Sequence, residues 1–498
     1  MNRMRYIATF DIGTTAVKGV LVSTSGQSVA NYSVNIPTIF TGEFKEQDPR
    51  DWYEAFCVIS RKMVTTVDAK EITGIIMSGQ MQDLILVDQE RKPIRNAILY
   101  SDSRAVKQAD EMINFFGNEY LKSITGNYYD GSLSFPKLLW LKENEPEVYA
   151  RIYKVLISSK DYIIAQLTGE CCGDYTACST AGLMNIQTKS WETSILEKLN
   201  IDIALFPDLY PSHERIGQIT STAHQMTGFA LGTQGYVGVG DAGATTLASG
   251  ISTIGQYNIN LGTSGWVATV SDFVMNQVQG VFSLAAMPEG KYINVVPFFN
   301  AGNVHKWISS IFTRDTQLNE IDYDYVNTLL EQSIPGSQGL LFLPYLVGER
   351  FPVVDANVKG CYVGLTPKTS KEDMVRACLE GVAYSIKQGI TSIGELPVSV
   401  SVIGGGARVS SWCQIISDVL GIEVHAYLQS DTLPALAIAS AVLLKEGLIT
   451  NYEEFTKSLQ QQEGCRIYQP NEQNHSVYTR NYRNFLNVYP AIKDLTTN

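Results

Sequence analysis

The chain has 498 residues, 45% of them hydrophobic and 18% charged, with a formal net charge of −12. That length exceeds one ordinary core and predicts two large domains, while the composition excludes a disordered or fibrous chain. The acidic balance excludes a general affinity for nucleic acid or anionic membranes, so an anionic ligand has to be gripped locally by backbone N–H groups and a metal ion.

The first predicted element is a hairpin. "YIATFDIGTTAVKGVLVS" (residues 6–23) reads as an alternating apolar strand, a tight G-T-T turn and a second apolar strand. "EITGIIMSGQMQDLILVD" (71–88) follows as strand, polar turn and strand, and "RIYKVLISSKDYIIAQLTG" (151–169) as a strand leading into a helix. "YVGVGDAGATTLASG" (236–250) crowds small residues around one carboxylate, Asp241, at the end of a buried strand. Its glycines spell G-x-G-x-x-G, but a dinucleotide turn is excluded on two counts. Asp241 would repel a pyrophosphate, and no acidic residue lies between Asp241 and Asp272 to hold a ribose.

"QYNINLGTSGWVATVS" (256–271) then repeats the opening hairpin with a G-T-S turn. Two such hairpins, each opening one half, predict a duplicated α/β fold with a seam near residues 245–255. "LPVSVSVIGGGARVSSWCQIISDVLG" (396–421) is a buried strand, three glycines and an amphipathic helix, and "LPALAIASAVLL" (433–444) is too short to span a bilayer and reads as a buried helix. The chain contains no P-loop, so the two hairpin turns are the expected phosphate grips. Eight scattered cysteines without a C-x-x-C pair and an acidic residue close to the N-terminal apolar run predict reduced thiols and a cytoplasmic location. The five histidines show no metal-ligand spacing.

Several long motifs, in order, resemble the FGGY family of carbohydrate kinases within the actin–hexokinase superfamily. "FDIGTTAVKG" and "INLGTSG" look like the family's two phosphate hairpins. "SLSFPKLLWLKEN" (132–144) fits its first signature, and "GCYVGLTPKTSKEDMVRACLEG" (360–381) fits its second except at Cys378. "LPYLVGERFP" and "VIGGGARVSSWCQIISDVLG" also look like family segments. Within the family the likeness is greatest to the xylulokinases, through "SGQMQDLILVDQERKPIRNAILYSDSR" and "KDYIIAQLTGE". Gln82-Asp83 stands where xylulokinases usually carry His-Gly.

The resemblance implies a duplicated, two-domain actin/hexokinase-like (ribonuclease H-like) α/β fold. An N-terminal domain would span 1–247 and a C-terminal domain 248–498, hinged around an active-site cleft. It implies ATP-dependent phosphorylation of a sugar hydroxyl, with D-xylulose foremost and another ketose, a polyol or gluconate as alternatives. A non-catalytic sugar-sensing or actin-like ATPase module is the alternative of another class. Asp241 is then the general base, and Asp11 holds Mg²⁺ through water. Thr14, Thr15, Lys18, Gly262 and Thr263 meet the phosphates. Gly302, Lys306, Gly404, Gly405, Gly406, Ala407 and Ser410 flank the nucleotide. Gln80, Met81, Gln82, Asp102 and Arg104 surround the sugar. Expected partners are the sugar and ATP, with neither nucleic acid nor membrane and with a homodimer left open. Asp83 is expected to count against an anionic sugar if it faces the pocket.

Overall fold

In the computed structural model, which describes residues 5–312, 321–428, 433–462 and 465–496, each half of the chain builds its own mixed sheet. In the first half the apolar stretches flanking the G-T-T turn form strands Tyr6–Ile12 and Ala16–Ser23, and Ser28–Asn35 continues the antiparallel meander. Ile72–Gly79 then pairs parallel with Tyr6–Ile12, and Gln234–Tyr236 pairs parallel with Ile72–Gly79. The second half repeats this plan. Tyr257–Leu261, Gly265–Ser271 and Tyr292–Phe298 form the meander; Ser399–Ile403 and Glu423–Ala426 extend it in parallel. The echo between the two hairpins is therefore an echo between whole sheets, and the fold is the duplicated α/β architecture expected from it.

Helices cover both sheets because each strand set is apolar on both faces. In the first half, helix Pro49–Thr66 starts on the Asp48 cap and buries Trp52, Phe56 and Ile59 among the strand residues. Helix Ser159–Thr168 is started by a capping box between Ser158 and Asp161, which satisfies N-terminal N–H groups that burial would otherwise strand. In the second half the long helix Lys371–Ile393 opens on the equivalent box between Ser370 and Asp373 and runs through the middle of the core.

Two features join the halves. The helix Leu433–Lys445 is apolar on nearly every side, the mark of a helix with no water-facing stripe. It packs among Ile7, Val20, Val22 and Ile76 of the first sheet and also meets Ile403 and Tyr427 of the second half. So this helix, although beyond the expected boundary at 247, sits largely on the N-terminal sheet. The other joint is Phe282–Ala285, the edge strand of the second sheet. Its exposed backbone is taken up by the first half: Asn127 exchanges two hydrogen bonds with Ser283 (2.7 and 2.8 Å). Thr176 Oγ1 donates to the Ala285 carbonyl (2.7 Å), and the Ala285 N–H donates to Ser179 Oγ (2.9 Å). Pairing the edge this way removes an unsatisfied row of polar groups.

Candidate active site

The site starts from strand register. Ser78 and Gly79 end the strand Ile72–Gly79, with Asp11 paired on one side and Val239–Gly240 on the other. Asp241 follows at once, as the first residue of helix Asp241–Ala248. Two carboxylates thus flank one strand end. Asp241 faces the open cleft but is ringed by protein on its other sides. That desolvation, with the negative charges of Asp11 and Asp174, pushes its carboxyl up to about 7 against the opposing Ala242 N–H. Asp11 is also raised by burial, opposed by the Ser78 hydroxyl, which donates at 2.8 Å, and by the charge of Lys18 across the hairpin.

The glycines around Asp241 serve packing. A Cβ at Gly240 would lie 2.3 Å from the Met81 sulfur, and one at Gly238, which has φ 74°, would lie 2.0 Å from the Met77 carbonyl oxygen. At Gly238 only hydrogen fits, whereas a Cβ at Gly240 would have to push the Met81 side chain aside. The Gly240 N–H also reaches Asp174 Oδ1 (3.3 Å), whose other oxygen pairs with the buried Lys160 at 2.9 Å. Asp161 flanks Lys160 on its other side at 2.5 Å. A buried cation between two carboxylates therefore anchors the turn that presents Asp241.

Beside Asp241 lies a cavity of about 520 Å³. The first half contributes Met81, Gln82, Tyr100, Ser101, Ser132 and Thr180, mostly polar; the second contributes Trp266, Phe282, Leu284, Val295, Pro297 and Arg350, mostly apolar. Gln82 Nε2 donates to Ser132 Oγ (2.6 Å). Its backbone is left-handed, with φ 64°, a conformation that costs a non-glycine residue about 1–2 kcal/mol.

Three expected sugar contacts are corrected here. Gln80 is 1% exposed and turned away from the cavity: it accepts the Thr14 hydroxyl (2.6 Å) and donates to Gln47 (3.0 Å). Gln47 in turn donates to the Thr14 carbonyl (2.7 Å) and accepts from Trp52 (3.0 Å). The pair Gln80 and Gln47 braces the first hairpin. Asp102 and Arg104 also stand outside the cavity lining, paired at 2.7 Å, with Arg104 held by Glu46 at 2.9 Å and lying over the Phe44 ring at 4.0 Å. A guanidinium so enclosed has no free face for a substrate carboxylate. Asp83 is buried too, accepting the Tyr100 N–H (2.9 Å) with Oδ1. It lies beneath the pocket, so it does not present its charge to a sugar.

On the other side of the cleft, two expected segments converge on a third, the second hairpin turn. The Gly302 and Asn303 N–H groups donate to the carbonyls of Gly262 (2.8 Å) and Thr263 (2.9 Å). A Cβ at Gly302 would stand 2.4 Å from the Gly262 carbonyl oxygen; at Gly404, 2.8 Å from that of Leu261; at Gly406, 2.6 Å from Leu261 Cβ. Gly405 has no neighbour on that side within 4 Å, so this glycine faces open space. Thr15, Lys18, Thr263, Lys306 and Ser410 are exposed. Ser410 Oγ accepts from Arg466 (3.0 Å). Ala407 is instead wholly buried in the C-terminal core, and its N–H closes the glycine turn on the Gly404 carbonyl (3.1 Å). Its side chain offers nothing to a nucleotide.

A duplicated actin-like fold, with a hairpin turn on each side of a cleft and a raised carboxylate between them, has the architecture of a sugar kinase. The comparisons agree: the N-terminal domain of the FGGY family of carbohydrate kinases matches residues 6–248 and its C-terminal domain residues 257–439. The chain belongs to that family, whose members take their phosphate from ATP. It is 31% identical to a xylulose kinase from Staphylococcus xylosus over 497 residues, 99% of this chain and 100% of that one. A gluconokinase from Bacillus subtilis is 29% identical over 430 residues, 84% of this chain and 83% of its own. Among solved structures, the ligand-bound xylulose kinase and the gluconate kinase from Lactobacillus acidophilus each match with a TM-score of 0.87, at 26% identity and 98% of both chains. The chain is accordingly a carbohydrate kinase similar to xylulose kinases. Nothing favours a non-catalytic sensor. Among the described residues, no helix is long and apolar enough to cross a membrane.

Proposed function

We propose that the chain transfers the γ-phosphoryl group of ATP to a hydroxyl of D-xylulose, giving D-xylulose 5-phosphate, with Asp241 as the general base. The observation that carries this reading is the position of Asp241, on the wall of a cavity whose N-terminal side carries hydroxyl and amide groups and whose C-terminal side is mostly apolar, with its carboxyl poised near neutral pH. A base so poised is ionised in a useful fraction and still basic enough to take a proton. Asp241 accepts the proton of the attacking hydroxyl as its oxygen bonds to phosphorus and the bond to the ADP oxygen breaks. The backbone N–H groups of the two hairpin turns, with the Thr15 and Thr263 hydroxyls, orient the phosphates for in-line transfer; the Thr14 hydroxyl is already given to Gln80.

The residues present suit Mg²⁺. Asp11 and Asp241 are hard oxygen donors whose mutual repulsion a cation relieves, and among the described residues no group of three ligating side chains forms a cage. That matches an ion that keeps most of its water. Asp11 would hold it through water, where it would neutralise charge on the phosphates.

The substrate reading rests on the polar wall of Gln82, Ser101, Ser132 and Thr180, which suits a neutral polyhydroxy ketone, and on the xylulose kinases among its relatives. Arg350, the one cation among the described lining residues, favours a sugar acid such as gluconate as the alternative acceptor. ADP release measured over ketoses, polyols and aldonates separates the two. D-Xylulose should give the highest kcat/KM; a clear preference for gluconate over every ketose would replace the substrate.

A further inference from the structure

Lys137 is a fully buried cation at the foot of the sugar pocket that the transfer chemistry leaves unused. It stands in the helix Ser134–Asn144, and its ammonium donates to the backbone carbonyls of Gln82 (3.1 Å) and Leu99 (2.7 Å). Those carbonyls belong to the two loops that bring Gln82, Tyr100 and Ser101 to the cavity. Asp83 shares the enclosure. Its Oδ1 accepts the Tyr100 N–H, and its Oδ2 has no hydrogen-bond partner, so the neighbouring ammonium is its electrostatic counterpart. A third loop is tied in through Ser132, which accepts from Gln82 Nε2 and donates to Asp130.

These ties meet at Gln82, the one non-glycine residue with a left-handed backbone among the described residues that line the pocket. A side chain of this type holds that conformation only when its surroundings impose it. A charged donor on its own carbonyl is a strong constraint, and a buried ammonium is tolerable only beside a counter-charge. We propose that Lys137 and Asp83 form a buried positioning pair that holds Gln82 left-handed, so that its amide faces the phosphoryl acceptor. This rests on the reading of Gln82 as an acceptor contact. Burial pulls the Lys137 ammonium down to about 8, against Asp83, Asp102 and Asp130, with Arg104 adding to the fall. The ammonium is therefore charged below that pH and lost above it, and KM for the acceptor should climb on the alkaline side.

A double-mutant cycle in the full-length enzyme tests the pair, using whichever acceptor it turns over fastest. Lys137→Met should lower kcat/KM for the acceptor about tenfold, mainly through KM, with KM for ATP unchanged. In a Gln82→Ala background the same change should cost less than about twofold, because a residue that acts through Gln82 has nothing left to position. Losses that multiply independently would overturn the pairing while leaving the kinase reading intact. If Gln82→Ala alone leaves the kinetics unchanged, the acceptor contact itself is wrong and the pairing falls with it. Should Lys137→Met fail to fold, Asp83→Asn carries the same cycle with the same expectations. It keeps the acceptor for Tyr100 but removes the counter-charge, so it should also move the alkaline rise in acceptor KM to lower pH; an unmoved rise overturns the proposal.

Discussion

The two ends of the cleft are built from different material. At the proposed nucleotide end the surface is backbone: Gly302, Gly404 and Gly406 pack against Leu261 and Gly262 too closely for an added Cβ. At the proposed sugar end the surface is side chains, held from behind by buried polar groups such as Lys137 and the Lys160–Asp174 pair. Backbone surfaces tolerate change in neighbouring side chains but not an added Cβ. Side-chain surfaces tolerate an added Cβ more readily than the loss of one hydrogen bond behind them.

Substitutions can break or sharpen that contrast. The largest effect is expected where the ends meet: Asp241→Asn should cut kcat by about 10²–10⁴-fold, the scale of a lost general base, while calorimetry shows sugar and nucleotide still binding. Gln82→Ala should reduce kcat/KM for the sugar about tenfold and leave KM for ATP alone, since a stranded polar partner costs about 1–3 kcal/mol. Gly302→Ala should do the reverse. Its Cβ, 2.4 Å from the Gly262 carbonyl oxygen, must displace the second hairpin, and ATP KM should rise several-fold with sugar KM unchanged. If either variant altered both KM values equally, the two ends would not be separable. The smallest effect concerns stability. Gly404→Ala, at φ 90° and ψ −177° and 2.8 Å from the Leu261 oxygen, should lower the unfolding free energy by about 1–3 kcal/mol. Gly405→Ala, with open space beside it, should leave it unchanged in denaturant titration.

The same contrast explains what the sequence disclosed. The duplicated sheets were legible because each hairpin carries its apolar alternation and its turn within one short window, and the glycine run announces itself in three letters. Asp241 was legible because small residues surround it. Of Gln80, Met81, Gln82, Asp102 and Arg104, only Met81 and Gln82 line the cavity. Gln80 lies two residues from Gln82 and has the same side chain, yet it points at Thr14 rather than the cavity. What decides between them is the left-handed turn at Gln82, which depends on contacts 55 residues away in sequence at Lys137. Arg104 carried the right chemistry for a sugar acid and Asp102 for sugar hydroxyls, but they pair with each other and Glu46 also holds Arg104. No local pattern marks Trp266, Phe282 or Arg350 as pocket residues, because they reach the cavity only through the packing of the second half against the first. The helix Leu433–Lys445 was recognisable as buried, but not that its burial lies mainly against the N-terminal sheet.

The pH dependence of turnover tests the central claim most directly. A carboxyl raised to about 7 must be ionised to accept a proton, so kcat/KM for the sugar should fall with unit slope as pH drops below that value. The same shift runs the other way for stability. A carboxyl with a raised folded-state pKa contributes most below its unfolded value, and that contribution is lost as pH rises through about 7. Asp241→Asn should therefore melt higher than the parent at about pH 8, with the gap closing toward about pH 4. Measured side by side across this range, the parent should show the acid limb and the residual activity of Asp241→Asn should lack it. An acid limb of the same position in both proteins would contradict Asp241 as the base.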